Sequence, residues 1–179
     1  SNTSMGLSSL GALVTGNNNT AIGTSSMLLL NGGSQNVALG GNSLVSATFG
    51  NSNTAIGYAA LLNKTTSNFN TAVGFNSLAN ITTGFKNTAV GNNAGKFTSD
   101  GTTANATGNN SVFIGDSAKA QANAQSNQIV IGEGAIGNGT NTATIGNTTT
   151  SALHVGGDNA GIVLKSPNGT AYTIRVTDA

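Results

Sequence analysis

The sequence offers five carboxylates (Asp100, Asp116, Glu133, Asp158 and Asp178), one imidazole (His154), six lysines and arginines, and no cysteine. Acid–base or nucleophilic catalysis needs several such groups converging on one point. Asp116 and Glu133 lie 17 residues apart, each directly after the glycine of a recurring string, so they are expected on neighbouring coils. There they would hold a cation or act as a glycosidase dyad. The plainer reading is two solvated surface charges, with Lys119 close by to offset them. His154 has no second histidine, cysteine or suitably spaced carboxylate, which argues against a metal site or a triad within one chain. Three copies about an axis would bring three such imidazoles together. The acidic G-G-x-G-x-D repeat of calcium-wound rolls is missing, and without cysteine there is no disulfide or thiolate ligand. We expect no enzyme, no cofactor and no metal.

Charge and aromatic content narrow the partners. A net charge of +1 provides no field to steer nucleic acid or an anionic surface. No apolar run approaches the roughly 20 residues that span a bilayer, so neither nucleic-acid binding nor membrane insertion is expected. Charged residues are 6% of the chain, against about a quarter in an average domain. What remains is Gly, Asn, Ser, Thr and Ala with aliphatics, too lean for a thick core. Tyr58 and Phe75 share one phase, immediately after the string glycine and one coil apart. They are candidate glycan contacts, with packing in a core or subunit interface as the alternative.

The element that must position these residues is a repeat. The string Asn-Thr-Ala-Ile-Gly recurs with its glycine at Gly6, Gly23, Gly40, Gly57, Gly74 and Gly91, always 17 residues apart, then at Gly115, Gly132 and Gly146. A second glycine stands seven residues earlier in most copies, and a small-then-apolar step such as Ser43-Leu44 follows three and four residues later. The long step between Gly91 and Gly115 places a loop insertion at about residues 96–107. Alternation within the string is period 2, as in a strand. The reading is an all-β fold: a parallel β-roll or β-solenoid of about nine coils at residues 1–147, with stacked Asn side chains hydrogen-bonding up a ladder.

Each strand has two faces. Ile22, Leu39, Ile56 and their equivalents share one with Thr20, Val37 and Thr54; we read this side as inward. The other carries Ala21, Ala38, Ala55, Ala72 and Ala89, then Phe113, Val130 and Thr144. Small residues beside a regularly placed glycine imply close approach of another backbone, so this is the candidate trimer-interface face, and Phe113 is expected to splay the chains or widen the core. From residue 148 the register dissolves. Leu164 to Val176, around Pro167-Asn168-Gly169, reads as a β-hairpin-like connector over 148–179.

The strings N-T-A-I-G, N-S-V-F-I-G and N-Q-I-V-I-G resemble the head repeats of trimeric autotransporter adhesins and the shafts of phage tail fibres, across about residues 2 to 146. The stretch L-K-S-P-N-G-T-A-Y-T-I-R-V is similar to the short β element preceding a cleavable chaperone domain in such fibres, which favours the viral version. The resemblance implies a left-handed homotrimeric rod in a virion tail or head fibre, joined to other fibre or virion proteins and presenting or spacing contacts to a host cell-surface glycan. The alternative it leaves is a bacterial cell-surface adhesin head. A third reading from another class is an ice-binding β-solenoid using regular Thr, against which the inward placement of Thr54, Thr71 and Thr88 counts.

Overall fold

The computed structural model describes residues 1–12, 15–150, 162–165 and 171–174, the last two spans as backbone strands. Nine three-residue strands stack in chain order into one parallel sheet: β1 (Thr3–Met5), β2 (Thr20–Ile22), β3 (Val37–Leu39), β4 (Thr54–Ile56), β5 (Thr71–Val73), β6 (Thr88–Val90), β7 (Val112–Ile114), β8 (Ile129–Ile131) and β9 (Ala143–Ile145). Every pair keeps the repeat's register, Ala38 against Ala55 and Phe113 against Val130. The sheet is the front of a parallel β-solenoid of about eight turns, roughly 38 Å long at 4.8 Å per step. The described residues contain no helix. Residues Ser1–Thr148 form one compact unit and Thr149–Ala179 another. In the second, β10 (Ile162–Lys165) pairs antiparallel with β11 (Ala171–Ile174); the Pro-Asn-Gly turn and His154 lie outside the described residues.

The back of each coil is a turn rather than a second strand. In the first five turns two non-glycine residues adopt positive φ, such as Asn42 (56°) with Leu44 (51°) and Ala59 (56°) with Leu61 (51°). A left-handed non-glycine residue costs about 1–2 kcal/mol. Full burial of Leu44 contributes about 1.5–3 kcal/mol, and its N–H donates to the Ala60 carbonyl of the next coil at 3.0 Å. Burial wins, so the conformation persists. The string glycine is required on two counts. Gly40 has φ of 134°, and a Cβ there would stand 2.6 Å from the Gly57 carbonyl oxygen. At the other corner, Gly33 faces the Gly50 carbonyl too closely for any side chain.

Two expectations about the faces are corrected. Ala21, Ala38, Ala55, Ala72, Ala89 and Val130 are 0% exposed and Phe113 is 1% exposed within the single chain. They line the interior of their own coil, and the missing wall is supplied by Met27, Leu44, Leu61 and Leu78 from the turn half. Thr144, at the last strand, is partly buried. None of the seven buried residues is presented to a sister chain. The Thr and aliphatic side points outward instead, with Leu39, Ile56, Val90, Ile114, Ile129 and Ile145 exposed. Nor does Phe113 widen the core. Its ring lies against Gly95, at the turn position where earlier coils carry Met27, Leu44, Leu61 and Leu78. One large side chain has crossed the lumen while its opposite number vanished.

The asparagine ladder is present. Asn36, Asn53, Asn70 and Asn87 each donate a backbone N–H to the side-chain oxygen of the Asn one coil earlier, at 2.9–3.0 Å. Each Nδ2 also reaches a corner carbonyl of the next coil, as Asn70 to Gly84 at 2.9 Å. These amides are at most 1% exposed, and every buried polar group left unpaired would cost about 1–3 kcal/mol. The ladder fails at its end. Ser111 and Gln128 replace Asn, and the Gln128 side-chain oxygen and nitrogen are buried without partners.

Candidate functional site

Three surface features stand out on the solenoid. The first is the outward stripe. Two columns run along the sheet, one of Ile, Leu and Val, the other of Thr, Val, Ile and Ala, and no charged side chain interrupts either. A parallel sheet is normally covered on both faces, and a contiguous apolar patch on a soluble surface marks an interaction site.

The second is aromatic. Tyr58 and Phe75 follow Gly57 and Gly74, whose fixed geometry projects them from the same corner of successive coils. Their rings stack at 5.7 Å between centroids with 13° between planes. They remain 52% and 51% exposed, and the Asn42 amide donates to the Tyr58 hydroxyl at 3.0 Å. The same column continues through Asn92, Asp116 and Glu133. Asp116 and Glu133 do fall on adjacent coils, through the β7–β8 pairing, and both are exposed. Asp116 accepts a hydrogen bond from Asn92 at 2.8 Å. Among the described residues no three acidic, His or Cys groups gather to hold a metal.

The third is the insertion. Rather than leaving the stack as a free loop, it folds back. Phe97 bridges Ala104 antiparallel, and Thr98 bridges Ala120 of the next coil. Asp100 holds the tip, accepting the backbone N–H groups of Thr102 and Thr103 and the hydroxyls of Thr98 and Thr103. The Thr103 hydroxyl, then the two backbone N–H groups, keep its carboxyl well below the usual carboxylate range. Beneath the loop is a cleft of about 200 Å³ lined by Asn93, Phe97, Gly101, Ser117 and Lys119. A larger cavity, about 360 Å³, lies over the last coil between Gly134 and Thr148, and among the described residues none that lines it is ionisable.

One ionisable residue escaped the sequence reading. Lys64 is 0% exposed, inside the solenoid. It stands seven residues after Gly57, the position of Leu30, Ala47 and Ile81 in other coils. The register of the repeat was the signal. The same register stacks it on the small Ala47 of the preceding coil, and its ammonium donates to the Phe49 carbonyl at 3.2 Å over Gly50. Burial lowers its pKa from 10.5 to about 8.

No family model, no curated protein and no solved structure matches this chain. The β-solenoid architecture and the repeat therefore rest on the sequence and on the fold itself.

Proposed function

We propose that this chain is a structural and attachment segment of a viral tail or head fibre, a rigid homotrimeric rod that spaces or presents host-receptor contacts outside the cell. The observation that carries the reading is the uncharged aliphatic–Thr stripe running the length of the sheet, on a repeat that resembles fibre shafts. In this reading the stripe, and not the alanine face, packs the three chains together. Backbone pairing between coils supplies stiffness, and the exposed Tyr58–Phe75 pair offers a flat apolar surface to a sugar ring. Three copies would multiply weak glycan contacts through avidity. No catalytic step is part of the proposal, and its partners are further copies, other fibre or virion proteins and a cell-surface glycan.

Light scattering tests the assembly directly. The expected mass is three times that of the 17.5-kDa chain, and Ile56→Arg with Val90→Arg should yield a folded monomer. A wild-type monomer would overturn the fibre reading. Adsorption to intact cells, against an Ile56→Arg/Val90→Arg control, separates a receptor-presenting rod from a spacer. A bacterial adhesin head has the same geometry; a gene neighbourhood of surface-export rather than virion functions would favour it. The outward placement of Thr54, Thr71 and Thr88 favours ice binding as a second reading. That column is broken by Val37, Val112 and Ile129, and a thermal hysteresis assay without a freezing gap would dispose of it.

A further inference from the structure

The cleft beneath the insertion differs from the rest of the surface. The solenoid is uncharged over most of its length, yet one lysine lines this cleft and a second touches two of its lining residues. Lys119 lines the cleft. Lys96 borders it, its ammonium 4.9 Å over the Phe97 ring centroid and 3.5 Å from the Asn93 side-chain oxygen. Neighbouring carboxylates are already engaged, Asp100 by its own loop and Asp116 by Asn92. The walls are fixed in advance: Lys119 is in a parallel bridge with Ile136, and the loop is pinned where Thr98 bridges Ala120. Preorganised walls lower the entropic cost of binding.

We propose that this cleft binds one carboxylated pyranose unit, and that this unit is what the attachment reading above requires the rod to recognise. The chemistry of the walls selects it. Lys119 meets the carboxylate with the Lys96 charge behind it on one face of Phe97, the other Phe97 face takes the ring's C–H side, and Asn93 and Ser117 bond its hydroxyls. A bare phosphate would leave the aromatic wall unused, and a neutral sugar would leave both ammonium groups unused. The volume, about 200 Å³, lies below the roughly 300 Å³ where pockets for drug-sized ligands begin, which restricts occupancy to a single ring.

Saturation-transfer NMR and calorimetry on the full chain, with glucuronate, N-acetylneuraminate, glucose and acetate as probes, test the site. At least one of the two acidic sugars should bind saturably and at least tenfold more tightly than glucose, with acetate showing no saturation. Lys119→Gln should reduce the acidic sugar to the glucose level, and Phe97→Ala should weaken it severalfold. Lys86→Gln, an exposed charge outside the cleft lining, should leave it unchanged, and the melting temperature of each variant confirms folding. Indifference to both acidic sugars, equal binding of glucose, or full affinity in Lys119→Gln would overturn the site. Cells still adsorbed by such an indifferent protein would leave the attachment reading standing. Loss of cell adsorption with acidic-sugar binding intact would sink that reading instead.

Discussion

Coils before and after the insertion fill the same lumen in opposite ways. From β2 to β5 the strand contributes alanine and the turn contributes Met27, Leu44, Leu61 or Leu78, held at positive φ, while the coil of β6 has Ala89 on the strand and Gly95 at that turn position. In the coils of β7 and β8 the strand contributes Phe113 and Val130, while Ala118 and Ala135 are the buried turn residues. Lys119 and Ile136, which occupy the position of the left-handed leucines, then turn outward and bridge each other as ordinary extended backbone. Between the strand and the fourth position after its glycine the lumen has room for one large side chain, and close packing fixes the sum rather than the donor. Moving the large residue to the strand releases the fourth position after the glycine, Lys119 and Ile136, from the left-handed conformation, while Ser117 (51°) keeps it. It also frees Lys119 for the surface, where it lines the insertion cleft.

The largest effect expected is from Leu61→Ala, which removes the large apolar filler opposite Ala55 and leaves Lys64 as the one large buried side chain of that coil. Denaturant unfolding should show a loss of about 2–5 kcal/mol, whereas Ala135→Gly in the later region should cost far less. Gly95→Leu probes the crossover point. A Cβ there would lie 2.6 Å from Leu78 Cδ2 and 2.9 Å from Phe113 Cδ2, so overpacking should cost about 1–3 kcal/mol or more. The double variant Gly95→Leu/Phe113→Ala recreates the early pattern and should recover most of that loss; strict additivity would contradict volume exchange across the lumen.

Lys64 sharpens the comparison through pH. Its folded pKa, about 8, lies below the unfolded 10.5, so the buried charge destabilises the fold in full below pH 8. The penalty is on the order of 3 kcal/mol at 1.36 kcal/mol per unit and is relieved as pH rises from 8 to 10.5. Lys64→Met should therefore melt higher than wild type at pH 7, with the gap closing across that window. A constant gap would place the ammonium in water. The smallest expected change is Gln128→Asn, which restores a rung and removes two unpartnered buried atoms. We expect a gain of about 1 kcal/mol, visible as a modest rise in melting temperature.

Much of this was legible in the residues. The 17-residue spacing located β1 to β6, because stacking identical coils demands identical lengths between rungs, and the recurring string itself located β7 to β9. Asn at the fourth position before the glycine foretold the ladder, and the 24-residue step located the insertion. The aromatic pair followed from phase alone, although exposure had to come from the fold. Lys64 was missed because a lysine is almost never fully buried; only its register with Leu30 and Ile81 could have exposed it. The cleft was missed because Lys96, Phe97 and Lys119 come together through the Thr98–Ala120 bridge, a contact that no spacing rule supplies.

The sequence by itself determined the period, the strand positions and the hydrogen-bonding register, since those depend on local alternation and on where glycine and asparagine recur. It did not determine which strand face is the inside. Alternation with period 2 distinguishes two faces but does not label them, and Ile and Val outnumbered by volume the alanines opposite. Only the tertiary structure decided, because the lumen is shared. Leucines entering from the turn half leave space for nothing larger than alanine on the strand, and so the bulkier aliphatics face outward.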